Sequence, residues 1–179
     1  MSHHEPTPSD VSVRLLSQPR FLATARSAVL AFAKQLGFDD SCCSHIALAV
    51  DEAVCNIIRH GYGNASDKPI WLGLSAVEAD ESIQGIRIIV EDLAPQVDPT
   101  KIKGRNLEDI RPGGLGVHII KEVMEGVVWE PRDGGGMRLR MSRRLPSAGG
   151  GRGISALPEQ EAGASGAPAT QPTRGDQNA

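Results

Sequence analysis

The chain changes its hydrophobic period several times, and each change marks an element. Val11, Val13 and Leu15 alternate with polar neighbours, which predicts a strand over 11–16. After Pro19 the period lengthens. Phe21, Leu22, Ala25, Val29, Phe32, Ala33 and Leu36 recur at helical spacing, and Gly37 is a normal stop, so a helix is predicted from Pro19 to about Gly37. A second helix follows, with Asp39 or Asp40 as its N-cap, an apolar stripe of Ile46, Val50, Ala53, Val54 and Ile57, and an end near Gly61–Gly63. The period then drops to two. Ile70, Leu72 and Leu74 predict a strand near 69–78, and Ala79-Asp80-Glu81-Ser82 reads as a polar turn. Ile86, Ile88 and Val90, with Ile89, give a more buried strand running into Glu91-Asp92, so the two strands form an antiparallel hairpin. Residues 100–112 are charged and irregular. Gly113-Gly114-Leu115-Gly116 then opens a helix with Val117, Ile120, Val123 and Met124 on one face. Val127–Glu130 and Met137–Arg144 read as the last strands, joined by the glycine run at 134–136. Strand–helix–helix–strand–strand–helix–strand–strand predicts an α+β fold: a two-layer α/β sandwich, a mostly antiparallel sheet with helices on one face.

The ends do not share this patterning. Residues 1–10, rich in Pro, Ser and His, are expected to be unstructured. From Pro146 the chain is dominated by Gly, Ala, Ser, Pro and Gln, and 146–179 reads as a disordered low-complexity tail. One domain, 11–145, remains. Aromatic residues make up only 3 % of the chain against 40 % hydrophobic residues in all, so its core must be aliphatic. The net charge of −3 gives no basic excess, and direct nucleic-acid binding is not expected. No apolar run approaches a membrane span, and Met1–Pro6 lacks a signal-peptide pattern, so the expectation is a cytoplasmic protein without a membrane partner. Cys42, Cys43 and Cys55 form neither a disulfide framework nor a metal-ligand spacing and read as reduced structural residues.

Three stretches carry candidate chemistry. On the second helix Glu52, Asn56 and His60 lie four residues apart and share a face. Glu52 supplies a proton-accepting carboxylate, and Asn56 a neutral oxygen suited to a hard cation such as Mg²⁺. The wet side of an ordinary amphipathic helix would show the same residues. Asp92 ends a buried strand ahead of Leu93-Ala94-Pro95, where a carboxylate either accepts from an adenine amino group or caps a turn. The glycine turn Gly113–Gly116 leaves backbone N–H groups free at a helix N-terminus, which makes an anion site. It fits neither the dinucleotide fingerprint nor a P-loop.

In this order the three stretches resemble the ATP-binding boxes of the GHKL (Bergerat) ATPase superfamily, which includes histidine kinases, gyrase and MutL. The resemblance covers roughly residues 11–145. Glu52-Ala53-x-x-Asn56 is similar to its Glu/Asn box, and Asp92-x-Ala94-Pro95 with Val97-Asp98-Pro99 to its adenine box. Gly113-Gly114-Leu115-Gly116-Val117-His118-Ile119-Ile120 is similar to the glycine box that follows the mobile lid. Within the superfamily the chain most resembles anti-sigma-factor serine/threonine kinases of the RsbW and SpoIIAB type, on its Glu-Ala-x-x-Asn-x-x-x-His-Gly-Tyr wording and short lid.

That resemblance implies an ATP- and Mg²⁺-dependent protein kinase in a partner-switching module. It would hold a sigma factor and phosphorylate a STAS-type antagonist. Members of the group often form dimers. Glu52 would be the general base, Asn56 the Mg²⁺ ligand and Asp92 the adenine reader. Gly113, Gly114, Leu115 and Gly116 would lie along the phosphates, and Lys101, Lys103 and Arg105 in the lid would screen phosphate charge or stay solvated. His60 matches the wording without a chemical role. Ala94 departs from the family, which has glycine there. An ATP-binding scaffold without transfer, or a detached histidine-kinase catalytic domain, are the alternative functions.

Overall fold

The alternating runs pair in a single sheet. The computed structural model describes residues 5–102 and 115–146. Its strands are β1 (Val11–Leu16), β2 (Pro69–Ala79), β3 (Ser82–Glu91), β4 (Glu125–Pro131) and β5 (Met137–Arg144), ordered β1-β2-β3-β5-β4 with every pairing antiparallel. The register sets Val13, Leu72, Val90, Leu139 and Trp129 opposite one another in one row across all five strands. Directly opposed residues share a face, so this row and its neighbour Val11, Leu74, Ile88 and Met141 form the inner face. The β2–β3 connection is tight, with Asp80 (φ 50) and Glu81 (φ 61) both left-handed, the conformation a two-residue type I′ hairpin turn requires.

Three helices cover that face: α1 (Leu22–Gln35), α2 (Asp40–Asn56) and α3 (Gly116–Val123). Helix α2 packs against α1 on one side and α3 on the other. Ala25, Val29 and Ala33 of α1, Ile46, Val50, Ala53 and Val54 of α2, and Ile120 and Val123 of α3 join the inner strand residues in one buried cluster. Each such aliphatic side chain stabilises the fold by about 1.5–3 kcal/mol on burial, Ala less. This is the α+β, two-layer arrangement read from the sequence. Cys42, Cys43 and Cys55 are unbridged, and Cys43 is buried in the core.

The helix ends follow local chemistry. Pro19–Phe21 forms a 3₁₀ turn ahead of α1. Helix α1 stops in a Schellman arrangement: Gly37 (φ +99) donates to Lys34 O at 3.1 Å and Phe38 N–H to Ala33 O at 3.2 Å. Of the two candidate caps for α2, Asp39 serves, accepting from Cys42 N–H at 2.7 Å. The helix reaches Gly61, as expected, but its α-helical part does not. It ends at Asn56 and passes into a π-helical turn, Ile57–Gly61, closed by Tyr62 N–H to Ile57 O at 2.8 Å. By length and composition alone the 22-residue helix Asp40–Gly61 holds a window long and apolar enough to cross a membrane, which corrects the expectation that no run approaches that length. Half of that apolar window is buried inside the domain, because α2 is its central helix.

The reading of residues 1–10 as unstructured is corrected over the part described. Thr7 lies on the outer sheet face and donates to Glu91 through its N–H (3.0 Å) and its hydroxyl (2.8 Å). Asp10 accepts from Ala76 N–H at 2.8 Å. Ser9 packs directly onto Gly73, where any side chain would collide with it. Composition misses this because the segment is held by polar bonds to the sheet rather than by a hydrophobic stripe. Residues 147–179 lie outside the described residues.

Candidate functional site

Glu52 and Asn56 occupy the last turns of α2, on the side that meets α3. The first residue of α3 is Gly116, and its missing side chain defines the contact. A Cβ there would stand 2.5 Å from Glu52 Oε2, 3.3 Å from Asn56 Nδ2 and 3.5 Å from Asn56 Oδ1. The helix face predicted from spacing and the glycine turn predicted from composition therefore meet. In α3 the first N–H bonded back is that of Ile119, to Leu115 O at 2.9 Å. Among the described residues the N–H groups of Gly116, Val117 and His118 precede that bond, at the positions where an α-helix has no helical partner for its donors. Leu115 is exposed beside them. Gly113 and Gly114, like Lys103 and Arg105, lie outside the described residues. Lys101 is exposed, in a 3₁₀ turn over Pro99–Lys101 that Asp98 caps through Thr100.

Asp92 follows the last residue of β3 and is 4 % exposed. Its Oδ1 accepts from Ala94 N–H at 2.8 Å and from Met137 N–H at 3.1 Å. Both bonds fall on one oxygen, and among the described residues no donor reaches Oδ2. Burial pushes the carboxyl above its ordinary range, against the pull of those two N–H groups and of the nearby Arg132 charge. The turn-capping and ligand-reading roles left open by sequence are compatible, one for each oxygen. Ala94 is buried, its backbone is not left-handed, and its methyl sits where only a glycine at 61 leaves room: a Cβ on Gly61 would lie 3.0 Å from Ala94 Cβ.

These groups surround one cavity of about 350 Å³. Asn56, His60, Asp92 and Gly116 line it together with Ala53, Ile57, Ala94, Val97, Ile102, Val117, Trp129, Met137 and Leu139. Walls are mostly aliphatic, with a flat aromatic contribution from Trp129 and a few polar groups, as in small-molecule sites generally. Glu52 is half-buried and stands behind Gly116 at the rim rather than in the lining. His60 is exposed and lines the cavity from the π-helical turn.

Several residues that matter here escaped the sequence reading. Tyr62 donates to Pro69 O at 2.6 Å and accepts from Leu93 N–H at 2.7 Å. Burial is the main cause that pushes its phenol up to about 12, so it keeps its proton at neutral pH. Arg132, buried in the β4–β5 connection, donates from Nη1 to Asp92 O at 2.8 Å. Gln96 Nε2 donates to Arg132 O at 2.6 Å and so ties the segment after Asp92 to that connection. Gly136 (φ +86) packs so closely on the Asp92 carbonyl that no side chain fits. The glycine run at 134–136 is the visible signal, although by spacing alone it predicts no more than a turn.

Compared with known proteins, residues 15–143 match the histidine kinase-like ATPase domain family. An anti-sigma F factor of Clostridium novyi (strain NT) is 30 % identical over 141 residues, covering 76 % of this chain and 95 % of that protein. A serine-protein kinase RsbW of Oceanobacillus iheyensis is 25 % identical over 125 residues, covering 65 % and 76 % respectively. Among solved structures, that of the RsbU and RsbW domains of Rv1364c from Mycobacterium tuberculosis shares 20 % identity at a TM-score of 0.48 over 78 % of this chain. The match spans 33 % of that longer chain.

Proposed function

The chain belongs to the histidine kinase-like ATPase domain family, and from that premise we propose that it is an ATP-dependent protein serine/threonine kinase that acts as an anti-sigma factor. The observation that carries the reading is the convergence at Gly116: a carboxylate and a carboxamide of α2 meet the first turn of α3 at one end of the cavity that Asp92 also lines. The names of its relatives, serine-protein kinase and anti-sigma F factor, support both halves of the proposal.

The residues present fit ATP with Mg²⁺. The aliphatic walls and Trp129 suit a planar base, and Asp92, which lines the same cavity, would accept from its amino group. The missing Cβ of Gly116 leaves the cradle that phosphates need beside helical N–H groups. Bound ATP with Mg²⁺ supplies the transferable phosphoryl group and neutralises its charge. Asn56 offers the cation a side-chain oxygen, the sparse protein ligation Mg²⁺ accepts when phosphates provide the rest. Glu52 takes the proton of the acceptor serine hydroxyl as the new O–P bond forms and ADP leaves. The chain's task is positioning and charge stabilisation, without a covalent intermediate on the enzyme.

The acceptor is a STAS-type antagonist, and the protein held in its unphosphorylated absence is a sigma factor, both in the cytoplasm. A phosphoserine adds about −1.5 to −2 charges, enough to expel the antagonist from a docked interface. Ala94 does not argue for an inert scaffold, because its backbone is relaxed and Gly61 makes room for its methyl. ATP titration with and without Mg²⁺ tests the metal half of the reading. Wild-type affinity should rise with Mg²⁺ and Asn56→Ala should lose that increment; an undiminished Mg²⁺ effect in Asn56→Ala would remove Asn56 from the site.

A further inference from the structure

Asp92 leaves β3 for a segment, Leu93-Ala94-Pro95, that belongs to no helix or strand. Its side chain is useful only if that departure is held in one orientation. Two side chains from different elements hold it, and they grip the same peptide unit. The carbonyl oxygen of Asp92 accepts from Arg132 Nη1 at 2.8 Å. The N–H of Leu93, at the other end of that peptide plane, donates to Tyr62 Oη at 2.7 Å. A planar peptide fixed at both its oxygen and its hydrogen cannot rotate about its flanking bonds.

Each clamp is itself anchored. Tyr62 donates its own proton to Pro69 O at 2.6 Å, at the start of β2. Arg132 is 8 % exposed, lies with Nε 3.3 Å from the buried Glu91 carboxylate, and also reaches Gly135 O at 3.3 Å from Nη1. Tyr62 follows the π-helical turn that continues α2, so the clamp also ties the Asp92 turn to the helix that carries Glu52 and Asn56. With the peptide held and Oδ1 taken by two N–H groups, the carboxylate of Asp92 is fixed where the residue lines the cavity.

We propose that Tyr62 and Arg132 are positioning residues which, by clamping the Asp92–Leu93 peptide, aim Asp92 and set the preference of the cavity for a purine bearing a 6-amino group. This rests on the reading of Asp92 as the acceptor for the base. Neither residue is among those that line the cavity. Their effect is confined to discrimination at the amino group and leaves the Glu52 end of the site untouched.

The test compares binding of ATP with binding of purine riboside triphosphate, the same molecule without the 6-amino group. The full chain is used as wild type, Tyr62→Phe, Arg132→Lys and Arg132→Met. A hydrogen bond to a charged acceptor gives wild type an advantage for ATP of about ten-fold or more. Tyr62→Phe keeps the ring in place, and Arg138 remains on Glu91 at 2.7 Å when Arg132 is changed, so folded protein is expected from the series. Tyr62→Phe and Arg132→Met should cut the ATP advantage to under about three-fold, with KM raised and kcat within about two-fold of wild type. Arg132→Lys should recover part of it. In an Asp92→Ala background the advantage is already gone, and adding Tyr62→Phe changes nothing. If the variants weaken both nucleotides equally, the two residues are structural only and the proposal is overturned. If wild type shows no advantage for ATP, Asp92 does not read the amino group, and the underlying assignment falls along with this one.

Discussion

At the scale of single residues, the absence of a side chain on Gly116 lets the first turn of α3 approach Glu52 and Asn56 of α2. Glu52, Asn56, Asp92 and Gly116 each have an ordinary structural reading by themselves, and only their order along the chain, which resembles the family's boxes, singles them out. Tyr62 and Arg132 were not assigned roles, because both act on backbone groups that no spacing rule reveals. Gly116→Ala separates site from scaffold. The Cβ would meet the mobile end of Glu52, which can swing away at little energetic cost, while alanine favours the helix by up to about 1 kcal/mol. Thermal stability should be unchanged or slightly raised, while phosphoryl transfer falls at least about a hundred-fold; unaltered transfer would show that Glu52 need not stay at Gly116. Ala94→Gly tests the departure from the family pattern. Because Ala94 has an ordinary backbone conformation, glycine should leave ATP affinity within about two-fold and lower stability by about 0.4–1 kcal/mol, read by titration and denaturant unfolding.

At the scale of elements, period changes located the five strands and three α-helices of the described residues, because strands lined by Ile70, Leu72 and Leu74 or Ile86, Ile88 and Val90 leave no ambiguity. Two features stayed hidden. An i→i+5 turn over Ile57–Gly61 shifts the helix register by one residue, and the apolar pattern before it is the same whether the helix continues or widens. The β4–β5 connection looked like a plain glycine loop, yet one of its glycines forms part of the site. Gly134 and Gly136 separate these roles. Both have a left-handed backbone, but space around Gly134 is open, whereas a side chain on Gly136 would strike the Asp92 carbonyl. Gly134→Ala should cost about 1 kcal/mol in unfolding experiments with ATP binding retained. Gly136→Ala should cost more and abolish binding, and equal behaviour of the two would disconnect this loop from the nucleotide site.

At the scale of the whole molecule, the two faces of the sheet do different work. The inner face builds the core and the cavity, and its aliphatic make-up follows from the scarcity of aromatic residues. The outer face carries the row Arg14, Trp71, Glu91, Arg138 and Glu130, and the N-terminal segment lies over it. Burial raises the Glu91 carboxyl, but Arg138, the two bonds from Thr7 and the Arg132 charge outweigh it and hold the group below its ordinary value of 4.5. A folded-state value below the unfolded one contributes stability that is present above about pH 4.5 and is lost as pH falls through the folded value. Wild-type unfolding free energy should therefore decline with acidification below about pH 4.5. Glu91→Gln should be less stable at pH 7 and show a shallower decline, as measured by denaturant titrations at each pH.

The α2 carboxylate that meets Gly116 serves phosphoryl transfer as a base rather than merely filling the space. Single-turnover transfer of γ-labelled phosphate from ATP to the serine of a STAS-type protein tests it directly, comparing wild type with Glu52→Gln at saturating ATP. The account predicts ATP affinity within about three-fold of wild type and a transfer rate reduced by about 10²–10⁴, the range a positioned general base supplies. Transfer by Glu52→Gln at the wild-type rate would contradict it.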